Sequence, residues 1–390
     1  MSSIPASSYL HMSHAELMKK SQTNSTLLLD DDSMIKSVPT ASSASSASNG
    51  FKSTTIPSEI HIGGRKSQLA VAQSLLVKAQ IKQHFPNVSC PILALTTLGD
   101  QVQNKPLYSF GGKSLWTKEL EILLLQSLGD YHKLDLIVHS LKDMPTNLPE
   151  EFELGCITKR EDPSDALVMA KDSPYSSLGE LPSGSIVGTS SVRRSSQLKR
   201  HYPHLRFESI RGNLQTRLRK LDDPETEFKC IILATAGLVR MGLGDRITER
   251  LNCKVMMHAV GQGALGIEIR KDDAVMKQVL KQIEDKESAA RCVAERSLMR
   301  SLEGGCSVPI GVWTEYDHAS KQLDFKGMVN SVNGEKVVQS SVCGVINLEE
   351  DDYKQKAEEL GLSLAKKLID LGAKEILDEI NFANINEKDE

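Results

Sequence analysis

Nine bases stand between Val187 and Leu221: Arg193, Arg194, Lys199, Arg200, Arg206, Arg211, Arg217, Arg219 and Lys220. Glu208 is the one acid among them, so this stretch carries +8 in a chain whose formal net charge is −4. Arg193 and Arg194 fall in the first turn of a helical pattern, where the backbone already presents a positive end, so an anion is what makes their placement sensible. Arginine outnumbers lysine, which suits bidentate pairing with carboxylate or phosphate. A solvated basic face is the competing reading, and placement at strand–helix junctions argues against it. There is no GxxxxGK[ST] loop, and no GxGxxG follows a strand. Tyr202 and Phe207 are the only nearby aromatic rings for stacking bases, which is thin for a single-strand platform. A small ligand bearing several carboxylates remains.

A second chemical signal is HSLKDMP, His139 to Pro145, which follows the apolar run LDLIV. It delivers Ser140, Lys142 and Asp143 to the carboxyl edge of a strand. A carboxylate there can accept N–H hydrogen bonds and stabilise a cation forming beside it. A turn aspartate or a local ion pair with Lys142 is the plainer alternative, and His139 reads as structural. The third signal is LEGGCSVP, with Cys306 in a glycine-rich turn just past a helix end. A helix C-terminus raises a thiol pKa, which disfavours a turnover nucleophile. An accessible but unactivated thiol suits one-time capture of a reactive electrophile. Cys90, Cys156, Cys230, Cys253, Cys292 and Cys343 read as inert.

Positioning these groups calls for alternating strands and helices. EIHIGG reads as a strand, KSQLAVAQSLLVKAQIKQHF as a helix, PILALTT as a strand, WTKELEILLLQSL as a helix and LDLIVHS as a strand. Between PILALTT and the WTKELEILLLQSL helix lies LGDQVQNKPLYSFGGKS, with three glycines and no periodicity. A second unit restarts near Glu180: strand SIVGT, helix SSVRRSSQLKRHY, strand RFESI, helix NLQTRLRKL, strand CIILATA. GGRKSQLA in the first unit matches GTSSVRRSSQL in the second. The pattern predicts two similar α/β domains with parallel sheets facing each other across a cleft, where ligands bind beyond the carboxyl ends of the strands. DKESAARCVAERSLMRSLEGG then reads as a helix closed by Gly304-Gly305. VPIGVWTEY, QLDFKGMVNS and EKVVQSSVCGV follow as a three-stranded antiparallel sheet turning at Asn333-Gly334, with YKQKAEELGLSLAKKLIDLG as a closing helix.

Taken together, GGRKSQLA, HSLKDMP, GTSSVRR, IRGNLQTRLRKL, ILATAGLVRMG, AVGQGALG and LEGGCSVPIG resemble the porphobilinogen deaminase (hydroxymethylbilane synthase) family, in order from about residue 59 to about 345. The resemblance implies two domains like type II periplasmic binding proteins plus a third α+β domain. The expected boundaries are a tail over 1–57, domain 1 over 58–160 plus 261–284, domain 2 over 161–260 and domain 3 over 285–390. It implies a dipyrromethane cofactor joined by a thioether to Cys306, and the joining of four porphobilinogen units, with loss of ammonia, into linear hydroxymethylbilane. Each pyrrole carries an acetate and a propionate, so the growing chain needs the arginine cluster. By motif, Asp143 is the implied catalytic residue. Arg65, Ser67, Ser140, Lys142, Thr189, Ser191, Arg193, Arg194, Arg211, Arg217, Arg240 and Gln262 are implied to bind cofactor and substrate. The loop from about Gly99 to Gly112 is implied to be a lid, hinged at Gly111-Gly112. Two departures stand out: Gly64 occupies a place usually held by Thr, and Trp116 one often held by Phe.

The chain as a whole fits that picture. At 390 residues it is long enough for two or three domains, and 25% charged with 39% apolar residues is ordinary for a globular protein. The balance of charge argues against a surface built to grip nucleic acid. No apolar run reaches the length of a membrane helix. Seven cysteines without CxxC spacing suit a reducing compartment, and no metal site is expected. The first 57 residues hold fifteen serines and no arginine. They fit neither a secretory signal nor a transit peptide, and read as a disordered tail on a cytoplasmic protein. Nothing demands more than a monomer. Two other functions are open on the residues alone. A solute-binding module would need an export signal and has no use for the LEGGCS turn. A nucleic-acid binder would show affinity falling steeply with salt.

Overall fold

The computed structural model describes residues 27–29, 56–96, 117–302 and 308–386. The glycine-rich segment expected to act as a lid, Trp116, the Gly304-Gly305 pair and Cys306 lie outside the described residues.

In chain order the first unit comprises β1 (Leu27–Leu29), β2 (Ile62–Arg65), α1 (Gln68–His84), β3 (Ile92–Leu95), α2 (Lys118–Leu125), β4 (Leu136–Ser140) and β5 (Phe152–Ile157). The second comprises β6 (Asp165–Met169), β7 (Ile186–Gly188), α3 (Val192–His201), β8 (Arg206–Glu208), α4 (Leu214–Asp222), β9 (Phe228–Ala234), α5 (Thr235–Arg240) and β10 (Glu249–Leu251). The chain then returns to the first unit through β11 (Leu265–Arg270) and α6 (Ala274–Lys281). The third unit follows with α7 (Lys286–Ser301), β12 (Ile310–Asp317), β13 (Gln322–Asn330), β14 (Val337–Val345), α8 (Tyr353–Asp370) and α9 (Ala373–Asn386).

The first sheet has the order β1-β3-β2-β4-β11-β5 and the second β10-β6-β9-β7-β8. In each, one strand with a glycine-rich end sits at the centre of a parallel trio: β2 between β3 and β4, β7 between β8 and β9. The internal match of the two sequence units is therefore a match of sheet position. The sheets are mixed, however, not parallel as the strand–helix alternation predicts. β11 runs antiparallel to both β4 and β5, and β6 antiparallel to β9. The reason lies in the connections. The chain passes between units twice, through Thr158–Ser164 and His258–Ala264, and the strand that follows each passage, β6 and β11, enters its sheet in reverse.

Apolar clusters fill both faces of each sheet, with Ile62, Ile92, Val138 and Ile267 on one face of the first and Leu93, Leu123 and Ile137 on the other. Strands buried on both faces read as unbroken apolar runs, as β3 and β4 do. The core of the third unit extends into the first, joining Leu298, Val312 and Phe325 to Leu141, Met144, Val260 and Ala264. The antiparallel order β12-β13-β14 matches the expected three-stranded sheet, and Gly334 takes φ +81° in its hairpin turn. α9 was not anticipated, and α7 is closed by Leu302.

Of the segment read as a disordered tail, residues 27–29 and 56–57 are described. Leu27–Leu29 form β1, antiparallel to the edge strand β3 with Leu28 opposite Leu93. An open strand edge offers unpaired N–H and C=O groups, and this leucine triplet pairs with them.

Candidate active site

β4 is buried over Leu136–His139, and the chain leaves it through Ser140 into a single 3-10 turn, Leu141–Asp143. The Leu141 N–H donates to the Ala264 carbonyl at 3.0 Å, tying the turn to the second passage between units. Lys142 is left half-buried and Asp143 exposed. Gln73 of α1 donates from Nε2 to Ser140 Oγ at 2.9 Å. His139 points to the other face and shares a 2.7 Å hydrogen bond with buried Glu268, in keeping with a structural role.

On the facing unit, β7 ends at Gly188 and the chain turns through buried Thr189 to Ser191, the N-cap of α3. Thr189 Oγ1 accepts the Ser191 N–H at 3.2 Å, and at the matching turn of the first unit Ser67 Oγ accepts the Ala70 N–H at 3.3 Å. These hydroxyls brace the two strand–helix turns.

The anion expected at the start of α3 is, in part, internal. Asp165, fully buried at the head of β6, accepts from Arg193 Nη1 at 2.7 Å, from Arg194 Nε at 3.0 Å and from Arg194 Nη2 at 2.7 Å. Burial works to raise the Asp165 carboxyl; Arg193 and Arg194, with the Gln262 amide, outweigh it and hold it well below the usual carboxylate range. Arg194 Nη1 donates to the Ile232 carbonyl at 2.8 Å, and Arg193 Nη1 to the Met257 carbonyl at 2.7 Å. Arg193 Nε and Arg217 Nε are buried and have no partner among the described residues.

Gln262 sits where the passages cross. Its Nε2 donates to the Pro163 carbonyl at 2.7 Å and to Asp165 at 2.9 Å, while its Oε1 lies 3.5 Å from Lys142 Nζ. The Gln262 side chain thus spans the two units. Burial lowers the Lys142 ammonium to about 8, with Asp143 and Asp165 opposing and Arg194 and Arg193 adding to the effect. Burial lowers Arg217 to about 10, helped by Arg194 and opposed by Asp143. Lys142, Asp143, Asp165, Arg193, Arg194 and Arg217 thus form one electrostatic cluster.

The other bases divide. Arg240 donates to the Gly263 carbonyl at 2.6 Å, and its burial lowers it to about 10 against the pull of Glu161. Gly263 itself has φ +89°, and a Cβ there would lie 2.3 Å from the Glu161 carbonyl oxygen, so only glycine fits this crossing. The segment Gly261-Gln-Gly263-Ala-Leu-Gly266 runs into a strand, not a helix, and so offers no dinucleotide cradle. Arg65 and Arg211 are half-buried and engaged with partners. Arg200, Arg206, Arg219 and Lys220 are exposed, which assigns that part of the basic segment to the solvated face.

Sequence reasoning missed Asp165, Gln73 and a junction centred on Arg160. Arg160 Nη1 and Nη2 donate to the two oxygens of Glu295 at 2.7 and 3.0 Å, and Nε to the Gln262 carbonyl at 2.8 Å. Glu295 also accepts the Gly261 N–H at 2.8 Å. Both passages are thereby fastened to α7, the helix that leads toward Cys306. The one sequence signal for Asp165 is a lone acid heading the apolar run Ala166–Met169. Cys90, Cys156, Cys230 and Cys292 are buried, and burial pushes the Cys230 thiol up to about 12 and Cys292 to about 11. Among the described residues no group of three or more His, Cys, Asp or Glu could hold a metal ion, and no helix is long and apolar enough to cross a membrane.

The orphaned guanidinium Nε atoms of Arg193 and Arg217, both in the second unit, fit a ligand with several carboxylates, and dipyrromethane with its acetates and propionates is of that kind. Comparison with known proteins leads to the same chemistry. The family model for porphobilinogen deaminase, dipyromethane cofactor binding domain, matches residues 60–278, and that for the porphobilinogen deaminase C-terminal domain matches 289–370. The porphobilinogen deaminase of Candida albicans is 61% identical over 328 residues, covering 84% of this chain and 94% of the relative. That of Saccharomyces cerevisiae is 57% identical over 334 residues, covering 84% and 99%. That of Prochlorococcus marinus MIT 9215 is 48% identical over 322 residues, covering 83% and 96%.

Proposed function

The chain belongs to the porphobilinogen deaminase family, and from that premise we propose how its own residues divide the work. The activity is that of hydroxymethylbilane synthase: four porphobilinogen molecules join head to tail, releasing four ammonia molecules, and one water releases the linear product. Dipyrromethane, the cofactor of the family, supplies the primer to which incoming pyrroles are joined. Cys306 is the proposed point of attachment.

Asp143 is the proposed catalytic residue. Exposed at the carboxyl end of β4, its carboxylate can accept pyrrole N–H groups and stabilise the cation left when ammonia departs. Arg193 and Arg217 are the proposed carboxylate receptors; their buried, unpartnered Nε atoms are the observation that carries this reading. Lys142 adds a further positive charge beside Asp143. Arg65, Arg211 and Arg240 extend the basic lining, Ser67, Thr189 and Ser191 shape the two strand–helix turns, and Ser140 holds the end of β4 to Gln73. The division into a first unit, a second unit and a third that carries Cys306 follows the three sheets. A monomer acting on porphobilinogen in the cytoplasm, without nucleic acid, completes the proposal.

Intact mass of the purified protein tests the attachment. The expected mass exceeds that of the chain by two pyrrole units, mapped to Cys306 by peptide digestion, and Cys306→Ala lacks both the adduct and turnover. Normal turnover in Cys306→Ala, or an adduct on another residue, overturns it.

A further inference from the structure

We infer that Asp165 is a positioning residue for the reaction: it turns the tandem arginines of α3 into a receptor for a single carboxylate, with Arg193 facing the ligand and Arg194 serving as its brace. Asp165 is fully buried, so it touches no ligand itself. It gathers four donors, one from Arg193, two from Arg194 and one from Gln262, at 2.7 to 3.0 Å. Three of these donors, two from Arg194 and one from Gln262, fall on Oδ1, and the one from Arg193 falls on Oδ2.

The two arginines emerge from this arrangement unequal. Arg194 places Nε and Nη2 on Asp165 and Nη1 on the Ile232 carbonyl, so each of its nitrogens is engaged. Arg193 spends only Nη1, shared among Asp165, the Met256 sulfur and the Met257 carbonyl, and keeps Nε without a partner. Two guanidinium charges against one carboxylate leave a net charge of one, which matches one ligand carboxylate. Without Asp165 the pair would present two uncompensated cations in a buried place, and each would be drawn separately toward the polyacid. Gln262 extends the control across the cleft, since its amide joins Asp165 to Lys142, the neighbour of Asp143.

The inference rests on the proposed reading of Arg193 as a ligand receptor, and a double-mutant cycle separates the two. kcat and KM for porphobilinogen are measured in the cofactor-loaded wild type, Asp165→Asn, Arg193→Lys and the double variant, with cofactor content checked by intact mass. Asp165→Asn keeps shape and removes charge. It is expected to lower kcat about 100-fold with KM changed less than about threefold, the signature of a displaced rather than a lost contact. Adding it to Arg193→Lys is expected to cost nothing further, because Asp165 acts through Arg193. An unchanged kcat in Asp165→Asn, or losses that multiply in the double variant, overturns the inference while leaving the receptor reading intact. Unchanged constants in Arg193→Lys overturn the receptor reading, and the inference with it. If Asp165→Asn does not fold, Arg194→Lys takes its place in the cycle: it keeps the charge, loosens the grip on Asp165, and must show the same kcat loss and the same non-additivity with Arg193→Lys.

Discussion

Arg160 grips Glu295 through two parallel hydrogen bonds of 2.7 and 3.0 Å, both side chains buried, and so ties the passage between the α/β units to helix α7. Removing one partner of such a pair strands the other charge away from water. Arg160→Met is expected to cost about 3–5 kcal/mol in the first unfolding transition in urea. A loss below about 1 kcal/mol would contradict a buried, paired role.

His258 lies in the same junction. Burial holds its imidazole down to about 4, with Glu295 opposing and Arg160 adding to the effect. A depressed histidine stays neutral in the folded protein while the unfolded chain takes up a proton near 6.5. Its contribution is therefore full above pH 6.5 and lost as pH falls toward 4, by about 3 kcal/mol. Urea titrations across that window should show the decline, and His258→Gln should flatten it; an equal slope in both proteins rejects the assignment.

Lys142 sets a second, opposite limit. With its ammonium lowered to about 8 by burial, the charge it offers to the site is lost as pH rises. Carboxylates bound beside it push that midpoint upward. The descending limb of kcat/KM is thus expected at pH 8 or above, and Lys142→Arg should shift it out of the measurable range. A limb that stays in place in Lys142→Arg belongs to another group.

Asp143 is the exposed member of the cluster, in the turn just past the end of β4. Asp143→Asn preserves shape and removes the charge that would face a developing cation. It should retain the two-pyrrole mass while kcat falls by about 100-fold or more. Near-normal turnover would remove Asp143 from the chemistry.

The sequence makes the strands, helices and the chemistry of the cleft legible because each is local. GTSSVRR announces a strand, a turn and a basic helix start in seven residues. Asp165 is invisible at that range: it lies 28 residues from Arg193, and only the antiparallel pairing of β6 with β9 brings it under α3. The same holds for Arg160 and Glu295, which are 135 residues apart. Strand direction was misjudged for a related reason. Alternation of strand and helix predicts parallel order, whereas a chain that leaves a unit and later returns through β11 inserts a strand against that order. The hairpin at Asn333-Gly334 was legible since its turn chemistry is self-contained.

Hydrogen exchange offers a direct check on the leucine triplet. Amides of Ile92–Ala94 that face β1 should exchange more slowly in the full chain than in a version lacking residues 1–57. Equal rates in the two would mean that β1 contributes no protection.

Pairing at that edge bears on how the enzyme behaves in concentrated solution. The family match begins at residue 60, so a protein trimmed to the shared region loses Leu27–Leu29 and bares one flank of β3. A naked flank of this kind recruits strands from neighbouring molecules and seeds polymers. The three leucines cover that flank from a part of the chain that precedes the shared region.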